Sequence, residues 1–270
     1  MGNPRRKHVV LNRISSLLSV GPALALVGVL IFGPLLLLLR VSLYSPSAGR
    51  GFYVPATYTL ANYAAFTGSH LLSILGFTIL CGFAVATIVL AIAYPLGLFL
   101  CSLSHRAQLT ALGLILLPKT AGLLALLFGL QRWLPRGTLA VIVAEVYLVL
   151  PYSVLVIYIQ LANLDVTLHD AACGLGANRW QAFRRVTWPL SRPGIILAFQ
   201  LALMWGLGAF LGPLFLGGPR ETTMAVELHR QAFEYGRWPL AAAEAIGLLI
   251  LVTIASLGIP TVAHLRKASQ

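Results

Sequence analysis

The sequence predicts an all-α, polytopic membrane protein with about six transmembrane helices, and three observations carry that prediction. Of its 270 residues, 59% are hydrophobic and only 10% are charged, against about a quarter charged in an ordinary soluble domain. The mean hydropathy of +0.87 is too apolar for water to be the main solvent of the folded chain. Apolar runs of roughly 20 residues, the length a helix needs to cross hydrocarbon, recur along the chain between charged and turn residues.

The first element follows the basic cluster Arg5, Arg6 and Lys7, which leads into an uncharged stretch from Ile14 to Leu39. That stretch is long enough to span, so it is expected to remain as a helix over about Leu17 to Leu39, not to be cleaved as a signal peptide. The second span runs from about Leu71 to Leu100, with Pro95 a predicted kink. The third covers about Leu109 to Leu130 and is interrupted by Pro118 and Lys119, and the fourth covers about Leu139 to Leu161. A fifth runs from about Pro193 to Leu216, where Gly208 and Gly212 are expected to allow close helix approach. The sixth, Leu240 to Val262, stops before Arg266 and Lys267.

Six spans place both termini on one side. The basic residues on that side are Arg5, Arg6, Lys7, Arg13, Arg106, Arg179, Arg184, Arg185, Arg192, Arg266 and Lys267, eleven against the seven on the other side, which makes it the cytoplasmic one. The net charge of +12 is therefore read as topology, because the basic residues are scattered among apolar runs and form no face suited to nucleic acid. Cys81, Cys101 and Cys173 are widely spaced, with no metal or redox pattern.

The longest predicted cytoplasmic segment, Asn163 to Arg192, reads as two short helices with a bend. Thr167 is the expected N-cap of the first, with Asp170 three residues on, and Gly174 and Gly176 end it. The second starts near Arg179, carries Trp180, Phe183 and Val186 at three-residue spacing, and is expected to close at Pro189. On pattern alone it could simply lie at the headgroups.

The order of residue types in this loop says more. Asp170, Ala171, Ala172, three residues, Gly176, nine residues, then Val186, Thr187, Trp188, Pro189 resembles the EAA loop of ABC importer permeases. That pattern is Glu-Ala-Ala, three residues, Gly, nine residues, Ile-x-Leu-Pro, so this chain departs from it at Asp170, Val186 and Trp188. Thr59, Leu60, Ala61, Asn62, Tyr63 and Phe66, then Tyr94-Pro95-Leu96 and Leu216-Gly217-Gly218-Pro219, are similar to a subgroup carrying polyamines, opines, iron or related small solutes. The resemblance implies a single permease domain over 1–270 with a cytoplasmic coupling-helix loop at 163–192, in a bacterial inner membrane. It implies that Asp170, Ala171, Ala172, Gly174, Gly176, Ala177 and Pro189 belong to a coupling element that docks on an ATPase subunit. The implied partners are ABC ATPase subunits, a second permease, identical or merely similar, and a periplasmic solute-binding protein. Among cargoes it favours a polyamine or similar small amine over an opine, ferric iron or an aminophosphonate.

No catalytic apparatus is expected in the chain itself. Gly113 to Thr120 imitates a phosphate loop, but Pro118, which lacks an N–H, replaces the second glycine. HExxH, GxSxG and Cys/His clusters do not occur. No cofactor is expected on this chain; ATP and Mg belong to the partner ATPase. The rivals are an intramembrane enzyme, which these absences disfavour, and a secondary transporter, which would favour inverted repeats.

Three charges fall inside predicted spans, where insertion costs at least about 2.5 kcal/mol each. Lys119 and Glu145 sit at comparable depth on consecutive spans, so they either pair with each other or line the solute path. Glu244 lies about a turn inside its span, and is expected either to snorkel to water or to guide a cation. Tyr147, Tyr152 and Trp205 are placed to wall a solute or to pack.

Overall fold

The computed structural model describes residues 4–46, 52–117, 122–164 and 166–268. Among the described residues five helices are long and apolar enough to cross a membrane, with apolar spans at Leu24–Ser42, Ser69–Ser102, Thr138–Ala162, Arg179–Leu207 and Trp238–Gly258. The chain begins with α1 (Pro4–Ser42), followed by a small antiparallel hairpin of β1 (Tyr44–Ser45) and β2 (Val54–Tyr58). The short α2 (Ala61–Ala64) and a 3₁₀ turn at Ala65–Thr67 lead into α3 (Ser69–Ser102), which runs unbroken through Pro95.

The third expected span is the main departure. Instead of one continuous helix there are two short ones, α4 (His105–Leu116) and α5 (Leu123–Trp133), on either side of residues 118–121. A proline at 118 has no N–H to give the carbonyl a turn earlier, and α5 starts from Gly122 at φ +81, open to glycine and strained for other residues. The two helices still carry the chain across. The Tyr158 hydroxyl, near the end of α6 (Thr138–Ala162), donates to Gln108 Oε1 of α4 at 3.2 Å. Leu127 of α5 is buried with Ala140, Val141 and Ala144 at the start of α6. The α4–α5 pair therefore runs antiparallel to α6, beside the five long helices.

After α6 come α7 (Val166–Gly174), α8 (Arg179–Ala182), a π turn at Phe183–Thr187 and α9 (Trp188–Leu207). The far end is built by α10 (Leu211–Leu216), α11 (Met224–His229), a π turn at Arg230–Glu234 and α12 (Trp238–Ala268). The centre is a three-helix core of α3, α6 and α9, in which α3 and α6 are parallel and α9 is antiparallel to both. Glycines set that geometry. A Cβ at Gly97 of α3 would meet Ile157 Cγ2 of α6 at 2.6 Å, one at Gly194 of α9 would meet Gln160 Cγ at 2.5 Å, and one at Gly206 would meet the Gly82 Cα at 2.8 Å. Small residues admit this approach, but these are not all the ones expected. Gly212 does sit against another helix, facing Glu145, whereas Gly208 is the C-cap at which α9 stops. The fifth span thus ends at Leu207 and begins at Arg179, earlier at both ends than the apolar run suggested.

By contrast α1 packs on α12, with Leu24, Val29, Phe32 and Leu36 more than 60% exposed, a lipid-facing surface. Its last turn is tied to the hairpin. The buried Asn62 amide donates to the Ser42 and Tyr44 carbonyls at 2.8 and 2.9 Å, and the Ser42 and Tyr63 hydroxyls lie 2.7 Å apart. Phe66 packs so closely on Gly247 of α12 that a Cβ there would meet its ring at 2.7 Å. The stretch Thr59 to Phe66 is therefore a clasp joining α1, the hairpin and α12.

Candidate functional site

Two places gather the residues singled out from sequence: the tip formed by residues 166–178 and a cavity beside Glu145. The tip is built by local backbone chemistry. α7 starts at Val166, so Thr167 lies inside its first turn and does not cap it. The side chains of Thr167 and Asp170 lie outside the described residues. At the other end the amide of Gly176 donates to the Cys173 carbonyl at 3.0 Å and that of Ala177 donates to the Ala172 carbonyl at 3.1 Å, with Gly176 at φ +91. This is a Schellman ending, in which a left-handed residue lets the last carbonyls be satisfied. It explains why glycine occupies 176: no atom lies within 4 Å of a Cβ there, so only backbone conformation requires it.

Ala171, Gly174 and Gly176 are exposed, and Leu175 at the apex is 90% exposed. Leu175 escaped the sequence analysis because one leucine among so many apolar residues gives no signal.

A helix then starts at Arg179 under a capping box. Asn178 Oδ1 accepts from the Gln181 amide at 2.7 Å, and Gln181 Oε1 accepts from the Asn178 amide at 3.1 Å. The spacing Asn178-x-x-Gln181 was legible in the sequence and was overlooked. Pro189 does not close this helix, contrary to expectation. The π turn just before it shifts bonding from i−4 to i−5, with the Trp188 amide donating to the Phe183 carbonyl, and a proline lacking an N–H fits where the ladder changes register. Trp188 stands edge-on to Tyr94 of α3 at 5.3 Å between centroids, and the Tyr94 hydroxyl lies 2.9 Å from Ser191 Oγ. The motif's second half therefore fastens the loop to the core. Arg179, Arg184 and Arg185 are exposed, as is Trp180, which stacks on Phe183 at 5.5 Å.

The second place lies about two turns into α6 from the end opposite the tip. Glu145 of α6 is 2% exposed, and its Oε2 accepts a 2.9 Å hydrogen bond from the Trp205 indole of α9. A Cβ at Gly212 of α10 would come within 2.5 Å of Glu145 Oε1, so glycine makes room for the carboxylate. Glu145 and Trp205 line a cavity of about 390 Å³ with Leu123, Leu148, Met204, Gly208, Ala209, Phe210 and Leu211. Tyr152 sits with its ring 6.1 Å from that of Trp205. Glu145, Tyr152 and Trp205 are thus brought together, whereas Lys119, their expected neighbour, lies outside the described residues. A charge-assisted bond to one carboxylate oxygen, with an aromatic wall beside it, suits a cationic group.

Glu244 departs from expectation. It is fully buried in α12 and does not snorkel, and neither carboxylate oxygen has a hydrogen-bond partner among the described residues. Its turn faces the bundle, flanked by buried Ala241, Ala242 and Ala243. Glu227 of α11, overlooked earlier, is also buried; its Oε1 accepts from Gln231 Nε2 at 2.7 Å and lies 3.7 Å from His70 Nε2. At the end opposite the 166–178 tip, Leu216-Gly217-Gly218-Pro219 forms a tight turn. Glu221 holds it, accepting from the Gly218 amide and from the Thr138 hydroxyl, each at 3.0 Å. No group of three or more metal-ligating side chains occurs among the described residues.

A bundle of apolar, span-length helices with one structured loop projecting from an end defines a polytopic membrane protein. Residues 1–263 match the family "Binding-protein-dependent transport system inner membrane component", and the chain belongs to it. It is thus a multi-pass inner-membrane permease subunit of an ABC importer, whose ATP is hydrolysed by a separate subunit. It is 28% identical over 222 residues to the spermidine/putrescine transport system permease protein PotB of Escherichia coli K12, covering 74% of this chain and 81% of that one. The PotB of Haemophilus influenzae is 31% identical over 193 residues, 63% of this chain and 68% of that protein. Among solved structures, a bacterial ABC transporter involved in import of the acidic polysaccharide alginate superposes with a TM-score of 0.71 over 96% of this chain and 98% of that one, at 14% identity, a likeness of fold alone. The rival readings as secondary transporter or intramembrane enzyme fall with this assignment.

Proposed function

We propose that this permease carries a polyamine or similar small amine, half of the path being formed by this chain and half by a second permease. The observation that carries the cargo is the Glu145 cavity: a buried carboxylate held by the Trp205 indole, near Tyr152, between α6 and the end of α9. The relatives named for spermidine and putrescine support the same class. An alkylammonium ion leaving water there gains a carboxylate and aromatic faces in a medium of low dielectric.

Coupling is assigned to the tip that includes Asp170, Ala171, Ala172, Gly174, Gly176 and Ala177, with Pro189 at the join to α9. In support, Leu175 projects as an exposed apolar knob on a rigid Schellman turn, and the adjoining small residues leave room for the walls of a groove. The ATPase, with its ATP and Mg, sits on this side, which makes it cytoplasmic. Six crossings then put both termini there too. A periplasmic binding protein delivers cargo at the opposite end, around residues 41–70 and 217–239.

The test is co-purification of this chain with its ATPase and second permease, comparing wild type with Gly176→Arg, followed by ATP hydrolysis in lipid with the binding protein and spermidine. The expected result is a wild-type complex stimulated by spermidine and a variant that loses the ATPase or the stimulation. Normal coupling in Gly176→Arg would refute the docking role, and stimulation by an anionic solute instead of amines would refute the cargo.

A further inference from the structure

The chain carries a file of aromatic rings that the coupling tip and the Glu145 cavity do not account for. It begins at the end of the bundle opposite the tip, where Phe52 of the hairpin region meets Trp238 at the start of α12, with centroids 5.1 Å apart and planes at 70°. Trp238 meets Phe233 at 5.5 Å, Phe233 meets His229 at 4.9 Å, and His229 meets Phe210 at 5.3 Å. Phe210 is itself in the wall of the Glu145 cavity, which Trp205 also lines, with Tyr152 6.1 Å from Trp205 between centroids.

Local sequence builds this file. His229 and Phe233 are four residues apart on one helical face, and Gly236 at φ +67 reverses the chain so that Trp238 folds back over Phe233. A belt of interfacial aromatics would lie around the bundle perimeter at headgroup level. These rings instead form a continuous series of contacts, Phe52 being 64% exposed at one end, Phe233 68% exposed within it and Phe210 reaching the cavity at the other end.

We propose that this line is a cation–π rail along which an organic ammonium ion passes from the outer end of the bundle to Glu145; it rests on the amine-cargo reading above. Ring faces attract a partly dehydrated cation, each by roughly two- to fivefold at exposed sites. A carboxylate would hold the ion far longer, so weak sites in series favour transfer over retention. Glu227 and Glu234 lie on the same segment as His229 and Phe233, as do Arg230 and Arg237. Arg230 donates through Nη1 to the Thr222 hydroxyl at 3.2 Å and lines a separate cavity with Arg136 and Arg220.

The experiment uses the assembled importer with its binding protein in proteoliposomes and reads radiolabelled spermidine uptake per ATP hydrolysed. Phe233→Leu and His229→Leu leave an apolar side chain and remove the π face. Each is expected to lower uptake per ATP about two- to fivefold, and the double variant about tenfold. Phe233→Tyr and His229→Phe should retain most of it. Replacing Phe233 by a trifluorinated phenylalanine, close in shape but with a weakened negative face, should slow uptake as leucine does. Leucine variants with wild-type uptake per ATP, or a fluorinated ring with wild-type behaviour, would overturn the rail. If Glu145→Gln stops spermidine while the leucine variants do not slow it, the amine reading stands and the rail alone fails. If wild type moves another solute and no amine, both fail together.

Discussion

Gly206→Ala is the sharpest test of how the core is assembled. One added methyl would sit 2.8 Å from the Gly82 Cα, 3.3 Å from the Gly82 carbonyl oxygen and 3.3 Å from Val85 Cβ. Carbon atoms prefer about 3.5–4.0 Å, and the nearest atoms are backbone, which no rotamer change can move. α9 must therefore back away from α3 by roughly 1 Å, loosening Val85, Ala86, Ala202 and Leu203, all buried in the same cluster. Overpacking of this kind costs about 1–3 kcal/mol. At about 2–4 °C per kcal/mol for a chain near this size, the melting midpoint should fall by roughly 2–12 °C. Gly76→Ala on α3 is the control, because nothing lies within 4 Å of its Cβ position. There a better helix former gains about 0.5–1 kcal/mol. The assay is a thermal melt of the detergent-solubilised permease followed by tryptophan fluorescence. A Gly206→Ala midpoint equal to wild type, or a fall of the same size in Gly76→Ala, would refute the close-crossing argument.

Three further predictions concern the other sites. Asn62→Ala removes both hydrogen bonds to the Ser42 and Tyr44 carbonyls; a loss of about 1–3 kcal/mol should appear as a lower melting midpoint and faster protease cleavage within residues 44–58, and an unchanged cleavage rate would contradict the clasp. Glu244→Gln replaces a buried carboxyl group that has no hydrogen-bond partner among the described residues, so the midpoint should hold or rise, while a loss of stability of more than about 1 kcal/mol would show that the carboxyl group is bound in the native state. At the tip, Gly176→Asn should preserve more binding-protein-stimulated ATP hydrolysis than Gly176→Val, because asparagine tolerates a positive φ and a β-branched residue does not; equal behaviour of the two would show that backbone shape there is immaterial.

The amino-acid sequence by itself determined the membrane as solvent, the second and fourth spans nearly to the residue, and the loop whose pattern names the family. These follow from run length, charge placement and glycine spacing, all local properties. The Schellman turn at Gly176 belongs with them, since left-handed backbone selects glycine wherever it occurs.

Tertiary structure alone decided which apolar helices are central and which face lipid. Leu30 of α1 is 64% exposed and Val89 of α3 is fully buried, yet lipid and protein interior are equally apolar, so hydropathy cannot separate them. The same holds for glycines: Gly208 and Gly206 are two residues apart, and only the position of Gly82 on another helix makes one a contact and the other a terminus. Whether Glu244 reaches water or stays buried depended on α12 turning that face toward the bundle, and the gathering of Glu145, Trp205 and Phe210 around one cavity depended on α9 stopping at Leu207. Local pattern fixes what each segment is made of, while long-range packing fixes what it faces.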